Sequence, residues 1–298
     1  MASAKTGSKT LSLKEILIVS RPFWWVNTVA GFVASYFIVN NQVDITLVIG
    51  IVYFAFVYNL MMYGVNDIFD YESDMLNPRK TGIDGSVMAK SKHPKLWLAI
   101  FITNIPFTIY LFAVGDTVSN VWLLFMIFMV WAYSVKGLRF KEIPFLDSVT
   151  SSFHYTSPFI YGGLLAGASE HYIPAFIIYF IWVAANHAFG AIQDITPDRE
   201  AGIGSIAAKL GAAPTIVMVL SLYALAAVLP IVLYGLKAGI VSILLLPYVY
   251  IVARTLKDRH KDTSPLFSKG WKQFLYVNYV VGFVLTFVLL YGFDVFSR

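Results

Sequence analysis

The chain has 298 residues, 58% of them hydrophobic and only 13% charged, which excludes an ordinary soluble domain. Its net charge of +5 is spread over short loops between apolar stretches, so it marks topology and lipid contact and excludes a nucleic-acid surface. The absence of cysteine excludes disulfides, thiolate metal sites and cysteine nucleophiles.

In chain order, the polar start over 1–13 reads as a disordered tail. It leads into an apolar stretch with no small-residue cleavage site, so no signal peptide is expected to be removed. About nine stretches long enough to cross a bilayer follow, near 16–38, 45–66, 96–115, 119–135, 146–168, 172–193, 213–235, 238–256 and 273–293. The tail and every second connection hold 20 of the 22 Lys and Arg, leaving Lys237 and Arg298 for the opposite side. By the positive-inside rule the basic side is cytoplasmic, as is the amino terminus, and an odd number of spans puts the carboxyl terminus outside. The outer connections, such as Asn40–Asp44 and Gly115–Ser119, are too short to hold a soluble domain. One multi-pass domain over 1–298, in the cell membrane, accounts for the whole chain.

Two acidic clusters fall where spans emerge on the basic side. The first runs Asn66-Asp67-Ile68-Phe69-Asp70-Tyr71-Glu72-Ser73-Asp74, and on a helix Asp67, Asp70 and Asp74 share one face with Asn66 beside them. Glu72 points elsewhere and is expected to be solvated. Asn77-Pro78 should break the helix, and Arg79-Lys80 follow at once. The second cluster runs Asp194-Ile195-Thr196-Pro197-Asp198-Arg199-Glu200, with Pro197 expected to start a short helix capped by Thr196. Charges at helix ends are often no more than solvated caps. Two matched clusters on one side, each followed by basic residues about half a chain apart, point instead to metal and phosphate. An all-oxygen ligand set suits Mg²⁺ or Mn²⁺, and Mg²⁺ commonly completes its shell with water and substrate phosphate.

The pattern Asn66-Asp67-x-x-Asp70-x-x-x-Asp74 with Asp194-x-x-x-Asp198 resembles the two aspartate-rich motifs of the UbiA superfamily of intramembrane prenyltransferases. The resemblance covers essentially the whole chain and includes Ser20-Arg21-Pro22 and Tyr133-Ser134-x-Lys136-x-x-Arg139-x-Lys141. Within the superfamily, the segments at 20–28, 66–80, 138–148, 150–158 and 271–279 look like lycopene elongases, which prenylate linear carotenoids. Val135-Lys136-Gly137 departs from the usual proline-containing turn. Lys80 through Gly85 lacks the Arg-Pro step common in quinone-forming members, which argues against a quinone role.

The resemblance implies an all-α integral membrane fold, with about nine transmembrane helices bundled around a central cavity and cytoplasmic cap loops carrying the two motifs. It implies that Asn66, Asp67, Asp70, Asp74, Asp194 and Asp198 hold two Mg²⁺ ions on the diphosphate of an allylic donor. Arg21, Arg79, Lys80, Lys136, Arg139 and Arg199 would neutralise the departing diphosphate. The acceptor would be a lipophilic polyene attacking an allylic cation, drawn from the surrounding lipid and from membrane-bound enzymes of the same pathway. His187, two turns deeper than Asp194, is expected by spacing to line the acceptor cavity or to accept a proton; His154 lies in the matching segment of the fifth span. Asn27, Asn186 and Asn278 are polar within spans and expected to bond to neighbouring helices. Rings such as Trp24, Trp25, Phe69, Tyr71, Tyr133 and Phe189 lie near the site by sequence, although membrane-interface belts use the same residues. Competing readings are an aromatic or lipid-alcohol acceptor for the same chemistry, and a carboxylate-lined cation transporter. A transporter should place its carboxylates mid-span rather than on one side.

Overall fold

The computed structural model describes residues 10–75, 87–168 and 173–291, all helix and connecting turn. The first helix, α1 (Leu13–Val19), begins with a capping box: the Ser12 hydroxyl accepts from Glu15 N at 3.3 Å, and the Glu15 carboxylate accepts from Ser12 N at 2.9 Å. The helix cap at Ser12, which satisfies the first N–H groups, thus lies inside the stretch expected to be a disordered tail through residue 13; residues 1–9 lie outside the described residues. Arg21, in the left-handed region at φ 49°, turns the chain into α2 (Val26–Asn40).

The second run is one long rod with a defect. It consists of α3 (Ile45–Val52), a π turn over Tyr53–Val57 and α4 (Tyr58–Phe69). A π turn loosens the regular ladder, and here Asn59 Nδ2 repairs it by donating to Phe54 O at 2.7 Å and Ala55 O at 3.0 Å. The Thr28 hydroxyl donates to the same Phe54 carbonyl at 2.8 Å, so α2 helps to hold the defect. The extra residue re-phases α4, whose Met62, Tyr63 and Asn66 then line the central cavity.

After α5 (Tyr71–Asp74) come α6 (His93–Val114), α7 (Thr117–Ser134), α8 (Leu146–Leu165) and α9 (Ile173–Ile192). Two short helices, α10 (Ile195–Glu200) and α11 (Ile206–Leu210), precede α12 (Ala212–Tyr234), α13 (Gly239–Thr255) and α14 (Pro265–Tyr291).

Among the described residues, seven helical runs are long and apolar enough to cross a membrane. They include 22–40, 45–69, 173–192 and 212–234. Of the nine expected spans, the other two are α8 and α14, helices of 20 and 27 residues that fall outside this set. In α8 the cause is its inward chemistry: Asp147, Ser148, Thr150, Ser151, Ser152, His154, Thr156 and Ser157 are all buried. Ser152 and Thr156 donate back one turn to Ser148 O and Ser152 O.

The outside is apolar. On α6, Leu98, Ile102, Ile105 and Ile109 are each more than half exposed, while Leu96, Ile100 and Leu111 face the core. A helix apolar on both faces needs an apolar solvent, as a bilayer supplies. Two hydrophobic cores divide the bundle. One is built on Phe32, Tyr53, Phe54, Tyr58 and Leu96, the other on Phe189, Tyr223, Tyr248 and Phe274, and Trp271 packs against both. Between them α8 packs against α2, α7 and α9. At Gly162 on α8 a Cβ would lie 2.7 Å from Phe32 O, so glycine is what lets α2 and α8 meet.

Candidate active site

The two acidic clusters come together on one cavity of about 440 Å³, with Asn66, Asp70, Asp74, Asp194 and Asp198 in its lining. They are built alike. Asp70 (φ −95°, ψ 2°) ends α4, and Asp194 (φ −101°, ψ 1°) stands between α9 and α10. Each then accepts, at 2.8 Å, the backbone N–H of the aspartate four residues on, Asp74 or Asp198. Each cluster is thus a long helix, a break at aspartate and a short helix that carries a second aspartate back to the cavity. α10 begins at Ile195 with Asp194 at its amino-terminal cap position, so Pro197 sits inside its first turn rather than starting it, and Thr196 is not the cap. A proline fits there because that N–H has no intrahelical partner. Likewise the first cluster is a broken helix and not the continuous face expected.

Around the first cluster the cations converge. Arg21 donates to Asp67 at 2.7 Å, with both side chains nearly buried, and its guanidinium lies 4.2 Å from the centre of the Tyr63 ring. Asp67 therefore packs beside Arg21 and is not in the cavity lining. Asp70 is paired with Lys141 and lies 3.7 Å from Arg139, which also pairs with Glu142. Asn66 Nδ2 donates to Asp70 at 2.6 Å and to the Ser134 hydroxyl at 3.3 Å. As expected, Glu72 points outward, where it pairs with Lys90.

Two expected basic residues are elsewhere. Lys136 is exposed and off the cavity, because Gly137 at φ 96° and Arg139 at φ 42° turn the loop. That turn brings in Lys141, which lines the cavity and was absent from the diphosphate set drawn from the sequence, although it closes the Tyr133–Lys141 motif. Arg199 donates to Ala208 O at 2.9 Å and to Asp262 at 2.6 Å, away from the cavity. Arg79, Lys80 and the Asn77-Pro78 break lie outside the described residues.

The second cluster is braced from the side. The Ser205 hydroxyl donates to Asp198 at 2.5 Å. Asp147, fully buried on α8, accepts from Ile206 N at 2.8 Å and from Ser148 N at 2.7 Å, fixing the loop that carries Ser205. Neither Asp147 nor Ser205 stands out in the sequence, since each acts through a partner tens of residues away or across a turn. His187 lines the cavity, and its Nδ1 lies 3.0 Å from the Ser148 hydroxyl. His154 bonds to Met129 O at 3.1 Å and packs edge-on against Tyr133. Of the rings singled out, Trp24 and Tyr133 line the cavity, together with Tyr63, Tyr155, Tyr179 and Trp182. Asn186 and Asn278 do bond to neighbouring helices, through the Tyr223 and Tyr248 hydroxyls.

Among the described residues no three His, Asp or Glu side chains converge into a ready metal cluster. The donor set nonetheless fits Mg²⁺ held by one or two carboxylates from each turn and completed by phosphate oxygens and water. The cations beside it suit phosphate too, since guanidinium and ammonium groups that now hold carboxylates can turn to phosphate oxygens.

Toward the far side the lining changes. A second cavity of about 320 Å³, lined by residues such as Ala30, Ala34, Phe159, Leu244, Val281 and Leu285, shares Asn27, Tyr179, Trp182 and Asn278 with the first.

Comparison with known proteins agrees with this arrangement. The profile of the UbiA prenyltransferase family matches residues 25–278. The lycopene elongase/hydratase of Corynebacterium glutamicum is 42% identical over 282 residues, spanning 93% of this chain and 97% of that one. The C(50) beta-cyclic carotenoids biosynthesis protein LbtBC of Dietzia is 43% identical over 280 residues and covers 93% of this chain, but the match takes in only 65% of that relative's length. A UbiA homologue from Archaeoglobus fulgidus bound to GPP and Mg²⁺ has the same fold, with a TM-score of 0.71 at 17% identity over 95% of this chain and 100% of that one. With the profile spanning most of the sequence and the paired aspartate turns in place, the chain belongs to the UbiA prenyltransferase family.

Proposed function

We propose that the protein transfers a prenyl group, dimethylallyl, from an allylic diphosphate to a linear carotenoid such as lycopene, with Mg²⁺ as cofactor. The observation that carries this reading is a cavity with five acidic-motif side chains at one end that shares four lining residues with an apolar one. A diphosphate suits the first and a hydrocarbon chain suits the second. The relatives named as lycopene elongases, similar along most of this chain, support the same donor and acceptor.

In this reading Asn66, Asp67, Asp70, Asp74, Asp194 and Asp198 form the metal-binding set, for two ions, with Mn²⁺ as a substitute. Mg²⁺ supplies charge neutralisation as negative charge grows on the leaving oxygen. Lys141, Arg21 and Arg139 add preorganised positive charge at the same end, and Arg79 and Lys80 belong to the proposed set. The allylic C–O bond breaks and the diphosphate leaves with the electron pair. The faces of Tyr63, Tyr133, Tyr155 and Trp182 stabilise the allylic cation and keep water from it. The terminal alkene of the acceptor then donates its π pair to the allylic carbon, forming the new C–C bond and a cation on the acceptor. His187, on the cavity wall, is available to take a proton. Nine spans, a cytoplasmic acidic end, an outer carboxyl terminus and neighbouring enzymes of the pathway in the cell membrane complete the proposal.

The test is diphosphate release and polyene mass, measured with purified protein, dimethylallyl diphosphate, lycopene and Mg²⁺. Expected are release that stops on chelation of the metal and a polyene heavier by whole prenyl units. Full activity in Asp70→Ala and Asp194→Ala would sink the mechanism, and prenylation of an aromatic acid or lipid alcohol but never of lycopene would sink the acceptor assignment.

A further inference from the structure

The first cavity ends differently on its two sides. On α2, α9 and α14 its lining runs on, through Asn27, Tyr179, Trp182 and Asn278, into the apolar cavity. On α4 it stops at Met62 and Tyr63, and no residue of α4 lines the second cavity. A bridge stops it. The Tyr63 hydroxyl is hydrogen-bonded at 2.8 Å to the hydroxyl of Tyr155 on α8, tying the two helices together. Deeper on α4, Tyr58 is fully buried, its hydroxyl donating to His154 O at 3.2 Å, with Tyr53 and Phe54 against its ring. Close-packed side chains of this kind leave no further space for a ligand on that side. The bridge also lies close under the charged end. Tyr63 precedes Asp70 by seven residues, about 10 Å along α4 at 1.5 Å per residue. The Arg21 guanidinium stands 4.2 Å from the centre of the Tyr63 ring.

We propose that the Tyr63–Tyr155 bridge, with Met62 beside it, is the floor of the donor's prenyl pocket and limits the donor to one five-carbon unit, while the acceptor enters only from the apolar side. The inference rests on the prenyl-transfer reading above and deepens it by naming the residues that choose the donor. The two substrates differ in length as the two sides differ in depth. A linear polyene is far longer than the space above the bridge, so only the side that continues into the apolar cavity can take it. A diphosphate at Asp70 and Arg21 leaves room above the bridge for one short hydrocarbon unit. A ten-carbon tail would have to displace Tyr155 or fold back toward the shared residues, where the acceptor lies. Forcing extra carbons against a packed floor costs more than their burial returns. Separate sides also keep a donor tail from competing with the acceptor for one apolar cavity.

The experiment measures how tightly the purified full-length protein, with Mg²⁺, binds the unreactive thiolodiphosphate analogues of dimethylallyl and geranyl diphosphate. An open apolar site would hold the longer tail more tightly, because every added methylene gains from burial. A closed floor reverses that order, and the wild type should bind the five-carbon analogue on the order of tenfold more tightly. Tyr155→Ala and Met62→Ala deepen the pocket and should each shift the ratio of dissociation constants on the order of tenfold toward geranyl. Tyr155→Phe loses the hydroxyl bond but keeps the ring, and should preserve the wild-type order. Leu244→Trp, which fills the apolar cavity, should leave the ratio unchanged. Each ratio compares two ligands on one sample, so it does not depend on the folded fraction. Tighter binding of the geranyl analogue by the wild type, or a ratio that neither alanine variant moves, would overturn the floor and leave prenyl transfer standing. A ratio moved by Leu244→Trp would place the donor tail in the apolar cavity and overturn it as well. Failure of both analogues to bind would instead overturn the prenyl-transfer reading, and this inference with it.

Discussion

The two acidic turns share a backbone and differ in what braces them. Both place an aspartate near φ −100°, ψ 0° between a long helix and a short one, and both aim a second aspartate at the same cavity. Around the first, the bracing comes from cations: Arg21 on Asp67, Lys141 and Arg139 on Asp70. Around the second, the bracing among the described residues includes the Ser205 hydroxyl on Asp198, with Asp147 pinning the Ser205 loop through Ile206 N–H. Repeating one backbone device while varying its described support gives the site two carboxylate walls held through different groups. The first wall can trade carboxylate for phosphate within its own ion pairs; the second is supported by the Ser205 loop.

The strongest way to break that comparison is to remove one wall at a time. Asp70→Ala and Asp194→Ala should each lower the rate of diphosphate release by about 10³-fold, since several kcal/mol of charge stabilisation is lost. If the walls act as one unit, the double variant should cost little more than either single one, because residues that work together are not additive. Losses that multiply would mean that the two turns work independently.

The cation wall is sharpened next by Lys141. Lys141→Met should reduce activity on the order of 10²-fold, because its ammonium is one of the preorganised positive charges at the leaving-group end. Lys136→Met, five residues earlier and exposed, should change it by no more than about twofold. Equal effects at 136 and 141 in steady-state rates would refute the placement of the loop.

This pair also shows where the sequence is legible. The aspartates, their spacing and their common side follow from hydrophobic runs and charge alternation, which are local. Choosing between Lys136 and Lys141 is not local, because two left-handed residues, Gly137 and Arg139, decide which way the loop turns. Arg199 looks like the partner of a phosphate by adjacency, yet Asp262, far along the chain, takes its guanidinium. The π turn at Tyr53–Val57 leaves no periodic trace, and it re-phases the helix that carries Asn66. Seven spans are plain in apolarity, while α8 is masked by the hydroxyls it buries against its neighbours.

The Ser205 support of the second wall should respond more mildly. Ser205→Ala leaves Asp198 without its 2.5 Å donor and should raise the Mg²⁺ concentration needed for half-maximal rate about tenfold, a loss in the range of mutated outer-shell partners of a metal ligand. Arg199→Ala, which removes the contacts with Ala208 O and Asp262 away from the cavity, should leave that concentration within about twofold. Should Arg199→Ala have the larger effect of the two, the arginine must reach the diphosphate in the working enzyme.

The smallest expected effect tests how the cation wall is anchored at its outer edge. Lys92, just before α6, pairs with Glu15 on α1, the helix that leads into Arg21. That pairing, followed by the Ser12 N–H, holds the Glu15 carboxyl at about 2, below its ordinary 4.5. A carboxyl lowered on folding contributes stability that is complete above its unfolded value and is lost as pH falls through the folded one. The contribution is therefore full at neutral pH and should fade from about 4.5 down through about 2. Glu15→Gln should melt at lower temperature than the wild type at pH 7, by no more than about 1 kcal/mol for a pair this close to water, and the gap should close as the pH is taken below 4.5. A gap that stayed constant with pH would show that the charge on Glu15 is not the cause, since glutamine can keep the capping box.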